Sequence, residues 1–299
     1  MNEIKVQNLK KSFHNKLVLD IPQLNVNAGE IVSIVGINGA GKSTLIKIIS
    51  GLLLQDEGSV EVYEHLNNSA LIHQDVKFVL ESGRGYYEYL SANQNIDYFL
   101  HLNGISRSQV KNDLEYLIDK LDFRSHMDKL VSELSQGTRQ KLSLIIALLC
   151  KPKVLCLDEP TNGLDVVAKR QFAKLLQELS QEKGTIILMT THDVFFVKEV
   201  STSICVLSKG EIKKKGSFYD VFGDNHNWIK YRIGIGDRAL PLLEERYPNM
   251  KYQSEDNCIL LETKDIQIKN DILRHFDVVF YEEIQESIEE ILFEVLNND

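Results

Sequence analysis

The run GINGAGKST, Gly36 to Thr44, brings together the residue types that a phosphate group needs. It fits the pattern of a glycine, four residues, then glycine, lysine and a hydroxyl residue, and it follows an apolar stretch, Ile31–Val35, and opens a helical one. Glycines at 36, 39 and 41 let backbone N–H groups turn inward around phosphate oxygens with no Cβ in the way. Asn38 and Ala40 complete the cradle. A helix starting there points its N-terminal dipole at the anion. Lys42 is expected to reach the β- and γ-phosphates, Ser43 to coordinate Mg²⁺ and Thr44 to bond the α-phosphate.

Two further runs carry candidate chemistry. KVLCLDEP, Lys153 to Pro160, reads as an apolar strand ending in two carboxylates. Alternation along a strand sends Asp158 and Glu159 in different directions. Asp158 can then face the metal held by Ser43, and Glu159 can orient a water as general base. An acidic pair at a strand end is by itself an ordinary solvated turn; the phosphate loop upstream changes that reading. LSQGTRQK, Leu134 to Lys141, places a serine and a glycine at the start of a helix. They offer a hydroxyl and backbone N–H groups to an anion, and in isolation they make a good helix cap.

These residues must be held by a framework, and the hydrophobic pattern predicts one. IKVQNL, LVLDIPQLNV and EIVSIV read as an antiparallel strand pair feeding the buried strand Ile31–Val35. A helix over Ser43–Ser50 and strands at Ser59–Val62 and Val76–Leu80 follow. Residues from about 83 to 153 turn helical, with apolar residues three and four apart. Buried strands return at Val154–Leu157, Thr185–Thr190 and Ser203–Ser208, with a helix over Ala168–Gln181 between the first two. Near-continuous apolar strands alternating with helices predict an α/β fold with a parallel sheet covered on both faces. Composition shifts near 223–227, so a domain over 1–222 and a small α+β domain over 223–299 are expected. The latter reads as helix 238–246, strand 258–262, helix 266–275, strand 277–281 and helix 287–296.

The chain has 299 residues and a net charge of −9, which argues against a general nucleic-acid binder. Cys150, Cys156, Cys205 and Cys258 form no C-x-x-C pair and read as small buried hydrophobes of a reducing compartment. The N-terminus lacks a signal-peptide pattern. The longest apolar run, Leu144–Cys150, is far short of the roughly 20 residues that span a bilayer.

Taken in order, the motifs over residues 1–222 resemble the ABC ATPase family, a branch of the P-loop NTPases. GINGAGKST resembles the family's phosphate loop and VLCLDEP its acidic strand. LSQGTRQK resembles its signature, although Thr138–Arg139 stand where Gln is more usual. TNGLD, Thr161 to Asp165, resembles the D-loop, and THD places His192 as the switch histidine. Phe13 takes the position of the aromatic that stacks on adenine. The resemblance implies that Ser135 and Gly137 of one subunit contact the γ-phosphate held by another, that Asp165 runs along the interface, and that His192 holds the γ-phosphate and steadies the attacking water. It implies MgATP as ligand, a second ATPase subunit, most simply an identical copy, and a separate membrane permease that holds the chain at the inner face of the membrane. Lys42, Glu159 and His192 are the expected catalytic set.

One position departs from the pattern. The family carries a Gln at the end of the strand that enters the helical subdomain; here Glu81 holds that place, while Gln74 precedes the strand. Glu81 is therefore expected on the metal side, with Ser43 and Asp158. The aromatics Tyr86, Tyr87 and Tyr89 read either as core of the helical subdomain or as a groove for a permease helix. The stretch SGRGYYEYLS and the ending SIEEILFEVL resemble bacterial exporters whose permease is a separate chain. Export is the function the resemblance favours. Import with a regulatory C-terminal domain, and a soluble ABC protein acting on nucleic acid or ribosomes, are the alternatives.

Overall fold

The computed structural model describes residues 2–80, 85–223, 229–255, 258–286 and 290–292. It forms two compact units, Met1–Val221 and Phe222–Asp299. The first unit runs β1 (Asn2–Phe13), β2 (Lys16–Asn27), β3 (Ile31–Val35), α1 (Lys42–Ile49), β4 (Glu57–Val62), β5 (His65–Leu66), α2 (Ile72–Asp75) and β6 (Val76–Val79). Helices α3 (Ala92–Leu102), α4 (Lys111–Lys120) and α5 (Gln136–Leu149) follow. Then come β7 (Val154–Asp158), α6 (Val166–Lys183), β8 (Ile186–Thr190), α7 (Val194–Val200), β9 (Ser203–Ser208), β10 (Glu211–Gly216) and α8 (Phe218–Phe222).

The main sheet has the order β10-β9-β3-β8-β7-β6. All its pairings are parallel except β9 with β10. Side-chain alternation explains why the central strands are apolar over nearly their whole length. Leu155 and Leu157 of β7 and Ile187 and Met189 of β8 join a cluster with α3, α4, α5 and α6. Val154, Cys156, Ile186 and Leu188 join the opposite cluster, with α1. Both faces are covered, so both parities are apolar but for Ser33, which bonds Ser201, and the strand-end residues Asp158 and Thr190.

The antiparallel strands expected at the N-terminus form a sheet of their own, β2-β1-β4-β5. Helix α1 lies in the layer it shares with the main sheet: Leu45, Ile46, Ile48 and Ile49 are fully buried among side chains of both. Burial of each contributes about 1.5–3 kcal/mol. The helix opening the phosphate loop is thus anchored by its own apolar residues. Helix α3 starts with a capping box, Ser91 accepting from the Gln94 N–H and Gln94 from that of Ser91.

The second unit runs β11 (Ile229–Gly236), α9 (Leu240–Arg246), β12 (Tyr252–Glu255), β13 (Cys258–Thr263), α10 (Ile266–His275) and β14 (Val278–Gln285). Its sheet, β12-β13-β11-β14, is antiparallel throughout. This is the split β-α-β arrangement of ferredoxin-like domains. Tyr231, Ile233, Ile235, Ile259 and Leu261 face Leu243 of α9 and Ile272 of α10. Two strands escape the sequence pattern. β11, IKYRIGIG, carries glycines at 234 and 236, and β12, YQSE, is short and polar, both poor strand signals. The helix expected over 287–296 lies mostly outside the described residues. No helix among the described residues is long and apolar enough to cross a membrane.

Candidate functional site

Three neighbouring parallel strands, β3, β8 and β7, end at one edge of the main sheet, and the segments that follow them build the site. Ligands of open α/β sheets bind at such carboxyl ends. The loop after β3 turns into α1 at Gly41, whose φ of 104° lies in the left-handed region. A Cβ there would also come within 2.6 Å of Leu19 Cδ2, so glycine is required twice over. Inside the loop, the Lys42 ammonium donates to the carbonyls of Gly36 at 2.6 Å and Ile37 at 3.2 Å. These acceptors hold a nearly buried cation at the base of the cradle.

Asp158 shares the parity of Val154 and Cys156, which face α1. That is why its carboxylate meets the first turn of that helix. Ser43 Oγ donates to Asp158 Oδ1 at 3.0 Å, and Thr190 Oγ1 donates to the same oxygen at 2.7 Å. The Glu159 N–H in turn donates to Thr190 Oγ1 at 3.0 Å and to the Thr190 carbonyl at 3.1 Å. Thr190 is 1% exposed and ties both acidic residues to β8.

Glu159 has φ of 48°, a strained conformation for a residue with a side chain. The strand ends there and the carboxylate swings towards the loop after β8. His192 Nε2 lies 2.9 Å from Glu159 Oε1. The next residue, Asp193, caps α7 by accepting from the Phe196 N–H at 3.0 Å, and it pairs with Lys169 of α6 at 2.6 Å. The histidine loop is therefore pinned from both sides.

A cavity of about 490 Å³ opens over these groups. Its walls include Phe13, Asn38, Gly39, Ala40, Gly41, Lys42, Ser43, Thr44, Asp158, Glu159 and His192. Phe13 is half-exposed on β1, with Lys11 Nζ 5.5 Å from its ring centroid. Val18 and Asn162 also line the cavity, and neither is among the residues expected from the sequence to do chemistry. Asn162 lies in TNGLD and had a signal; Val18 had none, because only pairing of β2 with β1 carries it there.

Ser135, Gly137 and Asp165 are not among the residues lining the cavity. Ser135 caps α5 by accepting from the Thr138 N–H at 3.2 Å, and Asp165 caps α6 by accepting from the Ala168 N–H at 2.8 Å. Both are exposed, and beside Asp165 the apolar Val166 and Val167 are 68% and 66% exposed. Gln74 is exposed on α2 and away from the cavity lining, while Glu81 lies outside the described residues. The tyrosines divide. Tyr86 packs edge-on to Phe99 at 5.3 Å against the helical core, and burial pushes its phenol up to about 12. Tyr87 and Tyr89 are exposed, Tyr87 bonding the Tyr98 hydroxyl at 3.0 Å.

A phosphate cradle, an acid pair and a histidine at the carboxyl ends of three parallel strands define a P-loop ATPase of the ATP-binding cassette class. Comparison with known proteins agrees. The family model described as ABC transporter matches residues 19–162. NatA of Bacillus subtilis (strain 168), an ABC transporter ATP-binding protein, is 31% identical over 209 residues, covering 69% of this chain and 84% of NatA. The bacitracin transport ATP-binding protein BcrA of Bacillus licheniformis is 26% identical over 259 residues, 86% of this chain and 83% of BcrA. The Fe(3+) ions import ATP-binding protein FbpC of Escherichia coli O157:H7 is 30% identical over 222 residues, and the match spans 74% of this chain but only 64% of FbpC. The dimeric post-hydrolysis structure of the ATP-binding cassette MJ0796, bound to ADP and Pi, superposes with a TM-score of 0.64 at 25% identity, covering 72% of this chain and 98% of that one. The chain belongs to the family of ABC transporter ATP-binding proteins and is an ATPase of that type.

Proposed function

We propose that the chain binds MgATP in this cavity, pairs head-to-tail with a second copy of itself, and uses hydrolysis at the shared interface to energise export through a separate membrane permease. The carrying observation is the division of the site. Lys42, Ser43, Asp158, Glu159 and His192 gather around one cavity, while Ser135, Gly137 and Asp165 stand at helix starts elsewhere. A second copy would bring its Ser135 and Gly137 to the open side. The exposed Val166 and Val167 give that contact apolar area to bury.

In this reading Phe13 stacks on the adenine and Lys42 holds the β- and γ-phosphates, within a loop formed by Gly36, Asn38, Gly39, Ala40, Gly41 and Thr44. Ser43 and Asp158 offer adjacent hard oxygen donors, the chemistry that suits Mg²⁺. The ion, when bound, neutralises phosphate charge. Glu159 orients and deprotonates the attacking water, and His192, hydrogen-bonded to it, steadies that water and the γ-phosphate. Glu81, expected from the sequence to add a carboxylate on the metal side, lies outside the described residues, and Gln74 is exposed on α2 away from the cavity lining.

Two observations support transport by way of a separate permease. The match to BcrA runs over 259 residues, 38 more than the 221 of the first unit, so it takes in part of the second, while the FbpC match of 222 exceeds that unit by one residue. Tyr87, Tyr89 and Tyr98 leave an exposed aromatic patch on the helical subdomain, of the sort that receives an amphipathic helix. The test uses Glu159→Gln, which should keep ATP affinity, lose about 10²–10⁴ in turnover and accumulate as an ATP-dependent dimer by light scattering. Tagged in native membranes with ATP, it should bring down a multi-spanning protein. Wild-type turnover overturns the assignment of the base. A dimer recovered alone overturns the transport reading.

A further inference from the structure

The second unit has its own cavity, and its charge runs against its surroundings. Residues 223–299 contain 8 Lys and Arg against 17 Asp and Glu, so they carry the whole net charge of −9, and residues 1–222 balance at 26 of each. Four of those eight cations, Lys230, Arg232, Lys251 and Lys264, line a single cavity of about 770 Å³. Glu262 is the one carboxylate among its described lining residues.

Strand register shows how the cavity floor arises. Tyr231, Ile233 and Ile235 of β11 face the helices, so Lys230 and Arg232 stand on the opposite face of the sheet. Glu262 of β13 is the cross-strand partner of Arg232 on that face, and Leu260 is paired with Gly234 and Gln253. The Glu262 carboxylate bonds Lys230 and accepts from Arg232 Nε at 2.9 Å. It holds the two cations side by side. Lys264 pairs with Glu286 at 2.8 Å, and Lys251, on the loop before β12, is exposed. Leu260 and Met250 add an apolar surface, and Asn249 and Gln253 add neutral hydrogen-bonding groups.

We propose that this cavity binds a small organic anion bearing two or more carboxylate or phosphate charges. Its volume suits a metabolite-sized ligand, and its mostly polar lining, with only Leu260 and Met250 apolar among the described residues, suits a highly charged one. Four cations face Glu262 in the lining, with Glu286 beside Lys264 and Glu282 across the strands from Arg232, so positive charge is in excess here within an acidic domain, which favours an anion in the cavity. Carboxylate and phosphate share the recognition chemistry, since guanidinium and ammonium groups bind both. The proposal does not depend on the ATPase reading of the first unit.

The test titrates citrate and, separately, glucose 6-phosphate into the full chain by calorimetry. The phosphate loop is kept saturated with ADP and the ionic strength is held constant with chloride. One of the two should bind saturably, and which one does identifies the acidic group. Lys251→Gln should weaken that binding and Lys251→Glu should weaken it further, by at least tenfold, with ADP affinity unchanged. A graded loss follows charge and would not come from misfolding. Saturation by neither anion, or equal binding by wild type and both variants, overturns the proposal.

Discussion

Gly163 closes directly over Gly137: a Cβ on Gly137 would lie 2.3 Å from the Gly163 carbonyl oxygen. Gly163 itself has φ of 78°, with Gln136 side-chain carbons 3.2 and 3.3 Å from where its own Cβ would stand. The turn after the acid pair and the start of α5 are therefore one packed unit.

Gly137→Ala should force these two segments apart. Overpacking of this type costs about 1–3 kcal/mol. Turnover should fall while ATP affinity, which the proposed mechanism assigns to the loop before α1, stays within twofold. Equilibrium denaturation and nucleotide titration on the same preparation measure the two effects. A variant as stable and active as wild type would show that the contact carries neither.

Thr190 links Asp158 to Glu159 through one hydroxyl that donates to the first and accepts from the backbone of the second. Thr190→Val keeps the shape and removes both bonds. Stability should drop by about 1–3 kcal/mol, because a buried carboxylate oxygen loses a donor. Turnover should fall with it, since the backbone holding Glu159 loses an acceptor. Phosphate release and a urea titration check both.

The second unit should lose stability in acid through Glu262. Its hydrogen bond to Lys230 and the nearby Arg232 hold its carboxyl below the ordinary value of 4.5. A depressed value in the fold means the stabilisation is complete above 4.5 and disappears as pH falls through the folded value. Glu262→Gln should flatten this acid-dependent part of the unfolding curve. A variant with the same acid slope as wild type would assign the loss to other carboxylates.

Much of the first unit is legible from residue order, because its strands and its chemistry reinforce each other. The Ile31–Val35 strand, the glycine loop and VLCLDEP each have one consistent reading, and the structure brings their polar residues to one cavity. Contacts made by tertiary pairing are not legible. Val18 reaches the cavity only because β2 folds back on β1, and Thr190 matters through its register with Asp158. The second unit is harder still. Lys230 and Arg232 look like ordinary surface charges until the sheet sets Arg232 across from Glu262 and brings both cations to the carboxylate of that residue. Glycines 234 and 236 further mask the strand that carries them.

Glu159 sits at φ of 48°, where glycine is at ease and any other residue is not. A chain selected for persistence alone would carry glycine at that position. Glu159→Gly should therefore raise the melting temperature, by an amount worth up to about 1 kcal/mol, while turnover disappears. The conformation that aims the carboxylate at its histidine is a standing cost to the folded state, and in the proposed mechanism activity is what it secures. Stability screens on this chain will rank the inactive variant above the working enzyme.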